Sequence, residues 1–232
     1  MKKTRKMIPA LDITDLEKIK ELIKKIDDSD FVYGYKAGFS LGLTHGLPKV
    51  VEAIRSVSDK PIIYDHQKAA TDIPDTGKLF NKIMKESGIN EVILFPQAGP
   101  VTLKAWLESV LENNMKVIVG GIMTHPAFVE SEGGFIKDEA VTEIYKLAYE
   151  NGARDFVVPL TKPEATKKLY ETVGLDESCN FYSPGFGKQG GDPAQFSFIK
   201  MHYLIVGRAL FGAEDPAEYV QNTQKEIEEA VK

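Results

Sequence analysis

The stretch Pro61-Ile62-Ile63-Tyr64-Asp65-His66-Gln67-Lys68-Ala69-Ala70-Thr71-Asp72-Ile73-Pro74-Asp75-Thr76 decides how this chain is read. Its first four residues form a short apolar run, the pattern of a buried strand. Past its end, Leu79, Phe80, Ile83 and Met84 recur at a spacing that predicts one face of a helix. The charged segment between them lies where a strand stops and a helix is about to start, the place where α/β proteins carry their chemistry. Asp65, Asp72, Asp75 and Lys68 fall within eleven residues. A carboxylate and an ammonium held together in a dry pocket keep each other ionised. Asp65 and Asp72, on either side of Lys68, therefore predict an ammonium held as a proton donor. A charged surface loop is the plainer reading of the same residues.

The same rhythm recurs outward in both directions. Short apolar runs at 7–11, 31–37, 61–64, 91–95, 116–119, 155–158, 180–182 and 202–206 predict eight strands. Each ends in a polar or glycine-rich turn, and most are followed by an amphipathic face. Leu16, Ile19, Leu22, Ile23 and Ile26 mark the first face, and Val50, Val51, Ile54 and Val57 the next. Leu103, Trp106, Leu107, Val110 and Leu111 mark another, as do Val141, Ile144, Tyr145 and Ala148. Eight strand-then-helix units predict a (β/α)8 TIM barrel, an α/β fold occupying 1–232 as a single domain. An open doubly wound sheet is the rival, but Asp12-Ile13-Thr14-Asp15 stands where its first glycine-rich turn belongs. Barrel chemistry gathers at the C-terminal strand ends. Here those ends supply Asp12, Lys36, Asp65, Lys68, Asp72, Thr124, Gln189 and Arg208.

Bulk properties narrow the classes. A net charge of −5 with no basic block argues against a nucleic-acid partner. The lone cysteine, Cys179, excludes an internal disulfide, fits a reducing compartment and reads as a small buried hydrophobe. The basic start is followed by an apolar run too short for a signal peptide, and no stretch reaches the length of a membrane span. A cytoplasmic protein with no membrane partner is expected. His45, His66, His125 and His202 lack metal-ligand spacing, so no metal site is expected.

Two glycine-bearing strand ends suggest an anion site. Ser183-Pro184-Gly185-Phe186-Gly187-Lys188-Gln189-Gly190-Gly191-Asp192 follows the seventh predicted strand, and Gly207-Arg208 follows the eighth. Glycines let backbone N–H groups approach an anion, barrels often bind phosphate after these two strands, and the arginine fork suits it.

Asp-Ile-Pro-x-Thr after a charged segment, Ser-Pro-Gly-x-Gly-x-Gln-Gly-Gly and a terminal Gly-Arg together resemble the orotidine 5′-phosphate decarboxylase family. Leu11-Asp12, Tyr35-Lys36-Ala37-Gly38 and Met123-Thr124-His125-Pro126 fall in the family's order. The resemblance runs from Asp12 to Arg208. It implies cofactor-free decarboxylation of orotidine 5′-phosphate (OMP) to UMP and CO2, in de novo pyrimidine biosynthesis. Asp12 would bind a ribose hydroxyl, and Lys36 would contact the ribose and join the charged array. Asp65 would sit beside the substrate carboxylate, and Lys68 would protonate C6 of the pyrimidine. Thr124 would touch the base, Gln189 would bridge base and phosphate, and Arg208 with the Gly207 backbone would clamp the phosphate. Asp72 and Thr76 would reach into a neighbouring subunit's site, implying a homodimer.

Two departures stand out. The family spaces its array Asp-x-Lys-x-x-Asp, whereas this chain has Asp65-x-x-Lys68-x-x-x-Asp72. One inserted residue turns a strand side chain to the other face, and a bulge at His66 or Gln67 would restore it. Thr124 stands where serine is usual. Two other readings stay open: a sugar-phosphate decarboxylase or aldolase that forms an enediolate with Mg2+, and a non-catalytic nucleotide-phosphate-binding barrel.

Overall fold

The computed structural model describes residues 3–66, 69–187 and 190–230. Lys68 and Gln189, both expected in the site, lie outside the described residues. Among those described, eight parallel strands alternate with helices. The order is β1 (Thr4–Pro9), α1 (Leu16–Ile26), β2 (Tyr35–Gly38), α2 (Phe39–His45), α3 (Leu47–Arg55), β3 (Ile62–Asp65), α4 (Thr76–Glu86) and β4 (Glu91–Leu94). It continues with α5 (Pro100–Glu112), β5 (Lys116–Gly120), α6 (Asp138–Glu150), β6 (Asp155–Val157), α7 (Pro163–Val173), β7 (Asn180–Pro184), β8 (Met201–Val206), α8 (Arg208–Phe211) and α9 (Pro216–Ala230).

Neighbouring strands pair in the order β1-β8-β7-β6-β5-β4-β3-β2. The bridges Met7↔Val32 and Ala10↔Lys36 join the two ends, closing the predicted (β/α)8 barrel. Period-two alternation sorts the strand residues. Ile8, Ile63, Ile93, Ile118, Val157, Tyr182 and Tyr203 fill the barrel interior. Met7, Ile62, Val92, Val117, Phe156, Phe181 and Leu204 pack outward against the helices. Asp15 starts α1 by accepting from the N–H groups of Glu17 and Lys18, the role for which N-cap aspartates are favoured. Cys179 is buried, as its composition-level reading expects.

Some elements differ from expectation. The second strand begins at Tyr35 instead of residue 31. Met7 N–H donates to Phe31 O and Tyr33 N–H to Met7 O, so this earlier segment crosses to β1. The helix α2 follows β2 without a loop and has no apolar stripe to announce it: Leu41 is buried while Phe39 and Leu43 are exposed. The predicted face of α4 is rotated. Gly77, Asn81 and Met84 face inward, and Leu79 and Ile83 face out. Gly77 permits this, because the Trp106 ring lies where its Cβ would be, 2.7 Å away. Leu111 on α5 also faces solvent.

Candidate active site

The C-terminal ends of the strands surround a cavity of about 280 Å3. Its floor is apolar, built from Ile93, Phe95, Val157 and Ile205. One rim carries charge. Lys36 on β2 is in register with the interior residue Ile63, and Asp65 ends β3 one inward position further along. Asp12, just past β1, faces them. Lys36 Nζ lies 3.1 Å from Asp65 Oδ2 and 3.5 Å from Asp12 Oδ1. Burial alone would lower the Lys36 ammonium, but Asp65 and then Asp12 outweigh it and hold its pKa above the ordinary lysine value. Lys36 and Asp65 are buried, whereas the Asp12 side chain is 54% exposed and free to meet a ligand. Asp12 lies between Gly38 and Gly207: a Cβ on Gly38 would crowd its carboxylate at 3.2 Å, and one on Gly207 would be in ordinary contact with it at 3.5 Å.

The facing rim carries glycines and an arginine. Pro184, Gly185, Phe186, Gly207 and Arg208 line it. The loop is tied at its base, with Gly191 N–H donating to Gly185 O at 3.1 Å and Gly190 N–H to Gly187 O at 2.8 Å. Gly187 and Gly190 both have φ of +76°, which a side chain would strain. A third wall is Ile122, Met123 and Thr124, beyond β5. The cavity thus brings together Asp12, Lys36, Asp65, Thr124, Gly207 and Arg208, with charge at one side, an arginine and glycines at the other, and an apolar floor between them.

Asp72 and Thr76 are elsewhere. They border a separate surface hollow with His66, Leu79, Phe80 and Trp106. Thr102 Oγ1 donates to Asp72 O at 3.0 Å and Trp106 Nε1 to Ile73 O at 3.1 Å, so α5 holds this segment. The register of β3 with β4 ends at Asp65↔Ile93, and Phe95 N–H donates to Ala69 O at 2.8 Å.

The family model for "Orotidine 5′-phosphate decarboxylase / HUMPS family" matches residues 5–222. This chain belongs to that family. An orotidine 5′-phosphate decarboxylase of Methanosarcina acetivorans is 33% identical over 229 residues, covering 98% of this chain and 97% of the relative. That of Methanosarcina barkeri is 34% identical with the same coverage. Among solved structures, the Methanocaldococcus jannaschii enzyme complexed with inhibitor BMP superimposes with a TM-score of 0.81 at 25% identity, covering 96% of this chain and 98% of the other. The Pyrococcus horikoshii enzyme gives 0.79 at 26% identity, covering 96% and 99%.

For this member of the orotidine 5′-phosphate decarboxylase family, the residues missed in the sequence are those that shape the cavity. Ile93, Phe95, Val157 and Ile205 read only as strand positions. Their alternation with outward residues was the available signal, because it sets which side chains face the mouth.

Proposed function

We propose that this chain decarboxylates orotidine 5′-phosphate to UMP and CO2. The observation that carries the reading is the Asp12–Lys36–Asp65 array facing the glycine loop and Arg208 across one cavity, in a chain that matches the family along nearly its whole length. Arg208 and the Gly207 backbone would hold the phosphate, Asp12 and Lys36 the ribose, and Thr124 the base. Loss of CO2 leaves an electron pair on C6 of the pyrimidine. Lys68 is proposed to stabilise that charge and then deliver a proton to C6. Gln189 is proposed to bridge base and phosphate. Asp65 beside the substrate carboxylate would repel it until CO2 departs.

The test is the absorbance change of orotidine 5′-phosphate on adding purified protein, with and without EDTA. Turnover unaffected by chelation is expected. Turnover that stops on chelation favours the Mg2+-dependent enediolate chemistry, and UMP binding with no turnover favours a non-catalytic barrel.

A homodimer is part of the reading. Ile73, Leu79 and Val101 are 60%, 62% and 68% exposed and lie beside the hollow that Asp72 and Thr76 border. An apolar patch of this kind supports coverage by a second copy, with Asp72 and Thr76 serving the partner's site. Mixing inactive Lys68→Ala and inactive Asp72→Ala chains then restores about a quarter of wild-type activity, because random pairing makes half the dimers hybrids with one intact site each. No recovery in hybrids verified by mass spectrometry would remove the shared-site model. Among the described residues no helix is long and apolar enough to cross a membrane, and the lone cysteine suits a cytoplasmic location.

A further inference from the structure

We propose that Tyr145, which does not line the cavity, is a positioning residue for its base-binding wall. The proposal rests on the decarboxylase reading above. It begins with the glycine pair that ends β5. A Cβ on Gly120 would lie 2.4 Å from the Phe95 ring, and one on Gly121 would lie 2.8 Å from the Tyr145 ring. The main chain here is therefore pressed between two aromatics, Phe95 from the barrel interior and Tyr145 from α6 outside.

Tyr145 is fully buried, and its hydroxyl is used twice. It accepts from Gly121 N–H at 3.1 Å and donates to Val157 O at 2.5 Å. One oxygen thus ties the end of β5 to the end of β6. Both ends lead directly into the cavity: Gly121 is followed by Ile122, Met123 and Thr124, and Val157 lines the floor itself. Burial raises the phenol's pKa, so the hydroxyl stays protonated and keeps its donor role. Removing the oxygen would leave a buried N–H and a buried carbonyl unpaired and loosen Gly121, one residue past the last ladder pair Gly120↔Val157, where the segment that carries Thr124 to the base begins. The charged rim and the phosphate loop belong to other strands and keep their own bonds.

This division makes the proposal testable. Tyr145→Phe keeps the ring and removes only the strap. Affinity for UMP is expected to fall about tenfold, an amount in keeping with a lost buried hydrogen bond, and kcat/KM for orotidine 5′-phosphate to fall by a similar factor. Affinity for ribose 5-phosphate, which lacks the base, should stay within about twofold of wild type. A variant with wild-type preference for UMP and wild-type kcat/KM would overturn the proposal, as would an equal loss for both ligands. Wild-type protein that does not distinguish UMP from ribose 5-phosphate would overturn the decarboxylase reading, and the strap's role with it. If Tyr145→Phe does not fold, Gly121→Ala provides the second test. It pushes a methyl into the Tyr145 ring, and the same selective loss of UMP binding is expected.

Discussion

The two ends of the barrel carry the same charges and do different things with them. At the C-terminal end Lys36 lies between Asp65 and Asp12. At the N-terminal end Lys116 lies between Asp155 and Glu91, at 3.4 and 3.6 Å. Each cluster is one lysine with two carboxylates. The lower one is enclosed by tyrosines, although Glu91 Oε2 is buried without a hydrogen-bond partner. Lys116 Nζ also donates to the hydroxyls of Tyr33 and Tyr182, both at 3.1 Å, and lies 5.3 to 5.8 Å from the ring centres of Tyr33, Tyr182 and Tyr203. Tyr33 bonds Glu91, and Tyr182 donates to Asp155 at 2.9 Å. In the upper cluster Asp12 is half exposed over a cavity. A triad of charges is therefore no site by itself. What separates the two is that tyrosine hydroxyls and rings enclose the lower lysine, whereas a cavity opens over Asp12 in the upper cluster.

That contrast can be broken from either end. Lys36→Ala should reduce turnover on the order of 10^2–10^3-fold, because preorganised charge at the reacting end is a dominant catalytic contribution. Steady-state rates with orotidine 5′-phosphate measure it, and near-normal rates would place the chemistry outside this array. Next in size, Arg208→Ala should weaken UMP binding by roughly tenfold to a hundredfold, the range of a charge-assisted bidentate contact, and leave uridine binding unchanged. Calorimetry on both ligands decides it.

The lower cluster should respond in the opposite sense. Lys116→Met is expected to leave kcat/KM within about twofold and to cost roughly 2 kcal/mol of stability. That is below the roughly 3–5 kcal/mol of a fully buried pair, since Lys116 is 32% exposed. A denaturant midpoint and a rate on the same sample test both halves.

The smallest effect lies in the wall between the ends. His202 is fully buried against Ser183 Oγ at 2.7 Å. Burial, and then nearby Arg5, drive its pKa well below 6.5. The native state keeps it neutral while the unfolded chain takes up a proton below about pH 6.5. Its contribution is therefore present above that pH and is lost as pH falls toward the depressed native value. His202→Gln should flatten the acid limb of the stability curve by up to about 1.4 kcal/mol per pH unit. Parallel curves for the two proteins would exclude His202 as a source of that slope.

Much of this was legible because strands and strand ends announce themselves locally. Asp12, Lys36, Asp65, Thr124, Gly207 and Arg208 each follow or end an apolar run, and barrel closure alone brings them together. Glu91, Lys116 and Asp155 were equally visible as the first residues of predicted strands. Their role was not, because it depends on Tyr33, Tyr182 and Tyr203 arriving at one level through register across several strands. Leu79 and Ile83 have perfectly helical spacing, yet spacing cannot say which side of a helix the barrel takes. Gly77 under Trp106 settles that, and it is a contact across 29 residues. Tyr145 read as one apolar position among four, since a hydroxyl that reaches two main chains leaves no periodic trace.

The bridge between Ala10 and Lys36 has a consequence of its own. β1 and β2 do not zip together along their length as the other neighbours do, so the cylinder has a seam. Leu11 N–H donates to Lys36 O at 2.8 Å, while the Lys36 ammonium reaches Asp12 from the other side of the same seam. One residue therefore both stitches the frame with its main chain and spans the join with its charge. A ligand that grips Asp12 and Lys36 together would add rungs across that seam. Slowed amide exchange at Leu11 and Tyr33 is the signature such a ligand would leave.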